Sequence, residues 1–191
     1  MDAHGLTFAC ATTAEERVAK RRGLRTVRVG VRAANGVPDT PVVSFGLAGA
    51  LRDGLGVGAV LDATRVVDEH GSTLWEGGPL GVPGAQAATV LGSDVLVHDQ
   101  LERRRLHLAS GADAVDMESG VLARSGKLAG VLRVVSDDPS SAIEGVDRTV
   151  HPDGSTDVTG LVCWIAHRRG DAVRSMRDAV KALRQLERSV A

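Results

Sequence analysis

Two acidic groups stand at the points of this chain where ligands collect in open α/β sheets. A short apolar run, Ala114-Val115, enters Asp116-Met117-Glu118. A β-branched run, Val131-Leu132-Arg133-Val134-Val135, has the composition of a strand buried in a parallel sheet. It enters Ser136-Asp137-Asp138-Pro139, where the proline ends regular pairing. Ligands in such sheets sit beyond the carboxyl ends of the strands, so Glu118 and Asp137 are both placed to meet one. Val121, Leu122 and Leu128 lie between them at helical spacing. Two parallel strands joined by one helix would bring the acids to a single crevice. A third acidic site, Glu15-Glu16, follows the apolar run Leu6 to Ala11. A carboxyl at a desolvated strand end has its pKa raised and can hand over a proton. An ionised carboxylate can hold hydroxyls or take a proton from water.

The elements that must position these acids are legible in outline. Leu6 to Ala11 reads as the first strand. Thr13 then serves as a helix N-cap, and Glu15 and Glu16 suit the first turn. Residues 26–32 alternate as a strand, 33–40 form a turn-rich link, and 42–45 form the next strand. Gly46-Leu47-Ala48-Gly49 reads as a loop after that strand, where glycine permits close backbone approach to a ligand. It lacks the spacing of a dinucleotide fingerprint. Residues 59–67 read as a strand. Residues 69–93 are rich in Gly and Pro and read as a surface excursion with one short strand near 88–90, anchored by Trp75. Ser93 to Val97 has the pattern of a half-buried strand. Residues 100–110 read as a helix with Arg103, Arg104 and Arg105 on a solvated face, and 157–167 as another helix. Residues 171–190 read as a long helix. Its apolar stripe is Val173, Met176, Val180 and Leu183; its basic stripe is Arg174, Arg177, Lys181, Arg184 and Arg188.

Composition narrows the function. A chain of 191 residues is expected to form a single domain, 1–191, with a substantial core. A net charge of −1 argues against a nucleic-acid partner, and the scarcity of aromatics argues against base-stacking platforms. Cys10 and Cys163 lie in apolar segments, as buried thiols of a cytoplasmic protein do. No signal peptide is evident and no stretch is long and apolar enough to span a membrane. The six histidines are scattered, so no metal site is assigned.

The VDMES segment (115–119) followed by RVVSDD (133–138) resembles the paired signature of the nucleoside phosphorylase and nucleosidase superfamily. That superfamily includes purine nucleoside phosphorylase and methylthioadenosine/S-adenosylhomocysteine nucleosidase. SFGLAGAL (44–51) resembles its glycine loop. PDGSTDV (152–158) resembles the tail of the hopanoid-associated branch, the adenosylhopane nucleosidases. The resemblance implies a three-layer α/β/α sandwich with a mixed, mainly parallel central sheet, a homodimer and no cofactor. It implies hydrolysis of the N-glycosidic bond of a 5′-substituted adenosine, adenosylhopane in the branch named. Under it, Asp137 protonates N7 of the departing adenine, with Asp138 as the alternative acid, and Ser136 positions it. Glu15, or else Glu16, activates the water. Glu118 holds ribose hydroxyls, Met117 packs on the sugar, and Asp116 stands beside them. Gly46, Leu47 and Ala48 line the site, and Leu96 and Val97 meet the adenine.

The chain also departs from the family. The link at 33–40 replaces a helix, Leu96 stands where an aromatic is often found, and Leu47 offers no group to hold phosphate. A phosphorylase and a non-catalytic nucleoside-binding protein are the competing classes. The basic stripe at 174–188 is the feature suited to peripheral contact with an anionic membrane face.

Overall fold

The alternation of side chains along the first strand decides the layers. β1 (Thr7–Cys10) sends Phe8 and Cys10 to one face of the sheet and Ala9 to the other. The computed structural model describes residues 5–97, 99–137, 151–155 and 169–190. The expected helix 157–167, Cys163 and Asp138 lie outside them. Cys10 is a buried free thiol whose pKa burial pushes well up.

α1 (Thr13–Arg21) starts one residue earlier than its sequence suggests. Thr12, not Thr13, is the N-cap, and it forms a reciprocal capping box with Glu15. Thr13 instead turns its hydroxyl to the Gly154 carbonyl at 3.2 Å. β2 (Arg25–Arg28) pairs parallel to β1. It ends before the expected residue 32, because Gly30 and Arg32 take left-handed backbone conformations that stop the strand. The link from β2 to β3 (Val42–Ala50) carries only a single 3-10 turn, Val31–Ala33. β3 still pairs parallel to β1, so the helix is trimmed and the topology kept.

β3 is the central element. Gly46 to Gly49 lie inside it rather than in a loop beyond it. The reason is β8 (Leu128–Asp137), which pairs parallel to β3 from Val42↔Leu128 to Gly49↔Asp137 with a shift between Ala48 and Gly49. β7 (Ala114–Asp116) is antiparallel to β3 at Gly49 and Ala50. β7 and β8 therefore flank β3 and run in opposite senses, not as the expected parallel neighbours. β4 (Val60–Val67) pairs antiparallel with β8 and parallel with β6 (Gln86–Gly92), which pairs parallel with β7. The circuit β3–β8–β4–β6–β7 thus closes on itself, which leaves those strands few open edges. The 69–93 region is more regular than expected, carrying β5 (Thr73–Glu76) and the whole of β6. Asp62 pins the segment between those two strands by accepting the amides of Leu80, Gly81 and Val82.

The sheet is mixed and mainly parallel, with helices on both faces. α1 and the last helix, α4 (Arg169–Ser189), share one core cluster with Phe8, Phe45, Leu132 and Val134. Phe8 and Phe45 meet edge to face at 5.5 Å. α3 (Ser119–Arg124) packs Leu122 and Ala123 on the opposite face. Leu106 of α2 (Gln100–Ser110) joins a third cluster with Leu51, Val67 and Leu91. In α4 the docking stripe is shifted from the expected one. Ala182 and Leu186 are fully buried, whereas Met176 and Val180 are exposed. No described helix is long and apolar enough to cross a membrane.

The start of α3 is fixed by a glycine pair. A Cβ at Gly120 would lie 2.9 Å from the Cα of Gly92 and 3.2 Å from its carbonyl carbon. Replacing Gly120 by Ala gains about 1 kcal/mol of helix propensity but forces two backbones apart, an overpacking cost of about 1–3 kcal/mol. We expect the clash to win, so Gly120→Ala should lower the thermal midpoint. A midpoint equal to or above wild type would show that α3 has room to move.

Candidate active site

Arg133 lies in the middle of β8 and is almost wholly buried, at 1% exposure. A charge so placed must be answered locally. Its Nε lies 2.7 Å from Asp116 Oδ2, at an angle too bent for a hydrogen bond, so that contact is ionic. Nη2 donates to Ser44 Oγ at 2.6 Å and reaches Glu118 Oε2 at 3.4 Å. Nη1 donates to the Leu47 carbonyl at 3.3 Å. Burial opposes the charge, but Asp116, Glu118 and Glu15 outweigh it and hold the guanidinium pKa above its ordinary value.

The acids around Arg133 have distinct surroundings. Asp116 accepts the amides of Glu118 and Ser119 and the Ser119 hydroxyl, so its carboxylate caps the start of α3. Glu118 is buried and receives the Arg32 amide at 3.2 Å. Arg32 takes a left-handed conformation (φ 55) to present that amide, strain of a kind that collects at functional sites. Three carboxylates thus face one guanidinium, and Asp116 holds the closer contact. Burial pushes the Glu118 pKa up to about 8, against the pull of Arg133 and with Asp116 and Glu15 adding to the rise.

Glu15 comes to the same place from the start of α1. Its Oε2 accepts the Thr12 amide at 2.8 Å and the Thr12 hydroxyl at 3.0 Å. Its Oε1 accepts the Leu47 amide at 2.9 Å. Gly46 makes this possible: a Cβ there would lie 2.7 Å from the Arg133 guanidinium and collide with the Glu15 carboxylate.

Asp137 ends β8 and lies over Gly49, where a Cβ would sit 3.0 Å from its Oδ2. Ser136 Oγ is 2.7 Å from Oδ1. Oδ2 is paired with Arg103 of α2. Gly46 lies midway along β3 and Gly49 near its end, so Glu15 and Asp137 meet the strand at different points.

These groups share a cavity of about 520 Å³, a size typical of small-molecule sites. Glu15, Leu47, Ala48, Leu96, Val97, Asp116, Met117, Glu118, Ser136 and Asp137 all line it. Gly46, expected to line the site, and Glu16, the alternative base, are not among the lining residues. Leu96 and Val97 form no strand; they lie in an irregular segment before α2. Val31 and Met176, Ala179 and Leu183 of α4 complete an apolar wall.

Three arginines of the site, Arg103, Arg133 and Arg32, are not among the site residues read from the sequence. Arg103 is buried rather than on the solvated face, whereas Arg104 and Arg105 are exposed. Residues adjacent on a helix point about 100° apart, so three in a row span about 200° and need not share one face. Arg133 carries a signal too, being one charge inside an apolar run. Arg32 carries none, because its contribution is a backbone amide.

The fold matches solved structures. One is 5′-methylthioadenosine/S-adenosylhomocysteine nucleosidase from Helicobacter pylori with butyl-thio-DADMe-Immucillin-A, at TM-score 0.57 and 14% identity over 97% of each chain. The corresponding nucleosidase of S. pneumoniae, with a transition-state inhibitor, gives 0.57 and 11% over 97% of this chain and 99% of that one. Futalosine hydrolase of Helicobacter pylori gives 0.55 and 13%, over 92% and 96%. The chain has the nucleosidase fold. No family model matches it, and no curated protein matches it by sequence.

The raised Glu118 pKa makes stability depend on pH. Below the ordinary carboxylate value of 4.5 both folded and unfolded forms hold the proton. Between that value and about 8 only the folded form does, so raising the pH favours unfolding. Glu118→Gln carries no titrating group. Denaturant melts from pH 5 to 8.5 should show the variant gaining stability relative to wild type as pH rises. A difference independent of pH would mean Glu118 is ionised throughout.

Proposed function

We propose that this protein is a nucleosidase that hydrolyses the N-glycosidic bond of a 5′-substituted adenosine and releases adenine. The observation that carries the reading is one cavity lined by both Glu15, which accepts the Leu47 amide midway along β3, and Asp137, which lies over Gly49 near the end of that strand. In the proposed reaction the C1′–N9 bond breaks and its electron pair leaves with the base. Asp137 gives its proton to N7. Water attacks C1′, and Glu15 takes the proton that water loses. Glu118 holds the ribose hydroxyls with Met117 against the sugar, and Leu96 and Val97 meet the base.

Water is favoured over phosphate by the surroundings of Glu15. The Leu47 amide is committed to that carboxylate, and the Arg133 guanidinium to Asp116, Glu118 and Ser44. In phosphate-free buffer, wild type should release adenine with the free sugar as the other product. Asp137→Asn should keep less than about a tenth of that turnover, since general acid catalysis contributes about 10²–10⁴-fold. Glu15→Gln should fall similarly. A strict need for phosphate would identify a phosphorylase, and absence of any turnover a binding protein.

The 5′ substituent proposed is a bulky hydrocarbon, as in adenosylhopane. The apolar wall from Val31, Leu47, Met176, Ala179 and Leu183 supports it. Beside that wall Met176 and Val180 are exposed, and Arg174, Arg177, Lys181, Arg184 and Arg188 are exposed with them. Near an anionic surface each such cation contributes about 1 kcal/mol. We infer peripheral membrane contact through this face, a cytoplasmic setting and a homodimer. Bulky apolar 5′ analogues should be turned over faster than methylthioadenosine, with salt-sensitive binding to anionic vesicles. A marked preference for methylthioadenosine would replace this substrate with the smaller one and leave the nucleosidase reading in place.

A further inference from the structure

We propose that Arg103 is a positioning residue for Asp137, so that the acid of this reaction is a unit of Arg103, Asp137 and Ser136; the inference rests on the nucleosidase reading. Arg103 is 2% exposed. Burying a guanidinium costs several kcal/mol unless its donors are engaged. Nε donates to the Val97 carbonyl at 3.1 Å and Nη1 to the Ala50 carbonyl at 3.2 Å, while Nη2 donates to Asp137 Oδ2. These acceptors belong to the segment before α2, the end of β3 and the end of β8. One planar group therefore ties the three backbones that meet around Asp137. Gly49 gives it space: a Cβ there would lie 3.4 Å from the guanidinium nitrogens.

The two oxygens of Asp137 are made unlike by this arrangement. Arginine has donors only, so Oδ2 faces a group that cannot receive a proton. Ser136 Oγ is 2.7 Å from Oδ1 and 3.3 Å from the Ala48 carbonyl. A serine hydroxyl has one hydrogen and two lone pairs. Pointed at Oδ1, it serves an ionised carboxylate. Turned to Ala48, it can accept from a protonated Oδ1. Both states of Asp137 are thus satisfied by rotating one hydroxyl. In the proposed step a proton passes from Oδ1 to N7 as the C1′–N9 electron pair moves onto the base. Arg103 is already in place for the carboxylate left behind, a donor preorganised toward charge that develops in the reaction.

The test compares two leaving groups. Methylthioadenosine needs a proton on its departing adenine. 4-Nitrophenyl β-riboside does not, because nitrophenolate leaves unaided. Arg103→Met, Arg103→Lys and Asp137→Asn are assayed on both across pH. Lysine keeps the charge but not the fork, and serves if the Met variant does not fold. We expect both Arg103 variants to lose about tenfold or more in kcat for adenine release, with KM little changed. On the nitrophenyl riboside they should stay within about threefold of wild type, with Lys above Met on adenine release, as expected for lost general acid assistance. The pH profile for adenine release should shift relative to wild type. Equal losses on both substrates, with Asp137→Asn still selective for adenine release, would make Arg103 merely structural and overturn the inference alone. Asp137→Asn without that selectivity, or no adenine release by wild type from either methylthioadenosine or a bulky apolar 5′ analogue, would bring down the nucleosidase reading and this inference with it.

Discussion

The buried guanidinium of Arg133 is the constraint on which the rest of the site depends. Its neighbours come from separate parts of the chain: Ser44 and Leu47 from β3, Asp116 from β7, Glu118 from the turn before α3. Removing one partner from such a buried pair typically costs about 3–5 kcal/mol, because the other is left uncompensated. The same contacts that hold the strands in register therefore hold the acids in place. Asp116 shows this most directly, since one carboxylate both caps α3 and faces Arg133.

β3 makes the arrangement possible by having no side chain at two positions. Gly46 pairs with Arg133 and Gly49 with Asp137 across the β3–β8 ladder. Any side chain at Gly46 would displace Glu15 or Arg133, and one at Gly49 would crowd Asp137 and Arg103. Glycine within a strand ordinarily weakens it. Here the strand is held from both edges, by β1 and β7 on one side and β8 on the other, which offsets that weakness.

Much of this is legible in the sequence. Acids at strand ends, the helix after the first strand, α2 and the long terminal helix are given away by apolar runs, caps and periodicity. The features that are not legible depend on pairing between distant segments. Glycines at 46 and 49 read as a loop because glycine usually punctuates strands; only the ladder with β8 makes them strand residues. A strand–helix–strand pattern implies parallel neighbours by default, yet β7 lies across β3 from β8. A run of three arginines suggests solvent, and only the acceptors brought by Val97, Ala50 and Asp137 show that Arg103 turns inward. The shift of the α4 stripe from Met176 and Val180 to Ala182 and Leu186 has a similar cause. Which residues of α4 face the core depends on the rotation at which the helix docks, and Leu183 of the expected stripe still packs against the same cluster.

The polarity of the Glu15 end also bears on the nucleophile. Three carboxylates stand around one guanidinium there, and Glu118 with its raised pKa is the one that can relieve the excess by holding a proton. At an effective dielectric constant near 20, two like charges about 4 Å apart repel by about 4 kcal/mol. A phosphate dianion brought against Glu15 would meet that repulsion for each of its charges, with the nearest guanidinium already shared among acids. Water brings no charge and can hydrogen-bond to Glu15 as it loses its proton. Relieving the repulsion would take a second cation at the Gly46 end of β3. Among the described residues the other buried arginine, Arg103, is engaged beside Gly49 instead. Arg133 thus answers the acids near the proposed water from behind the cavity wall, and Arg103, which lines the cavity, answers the acid near the proposed base.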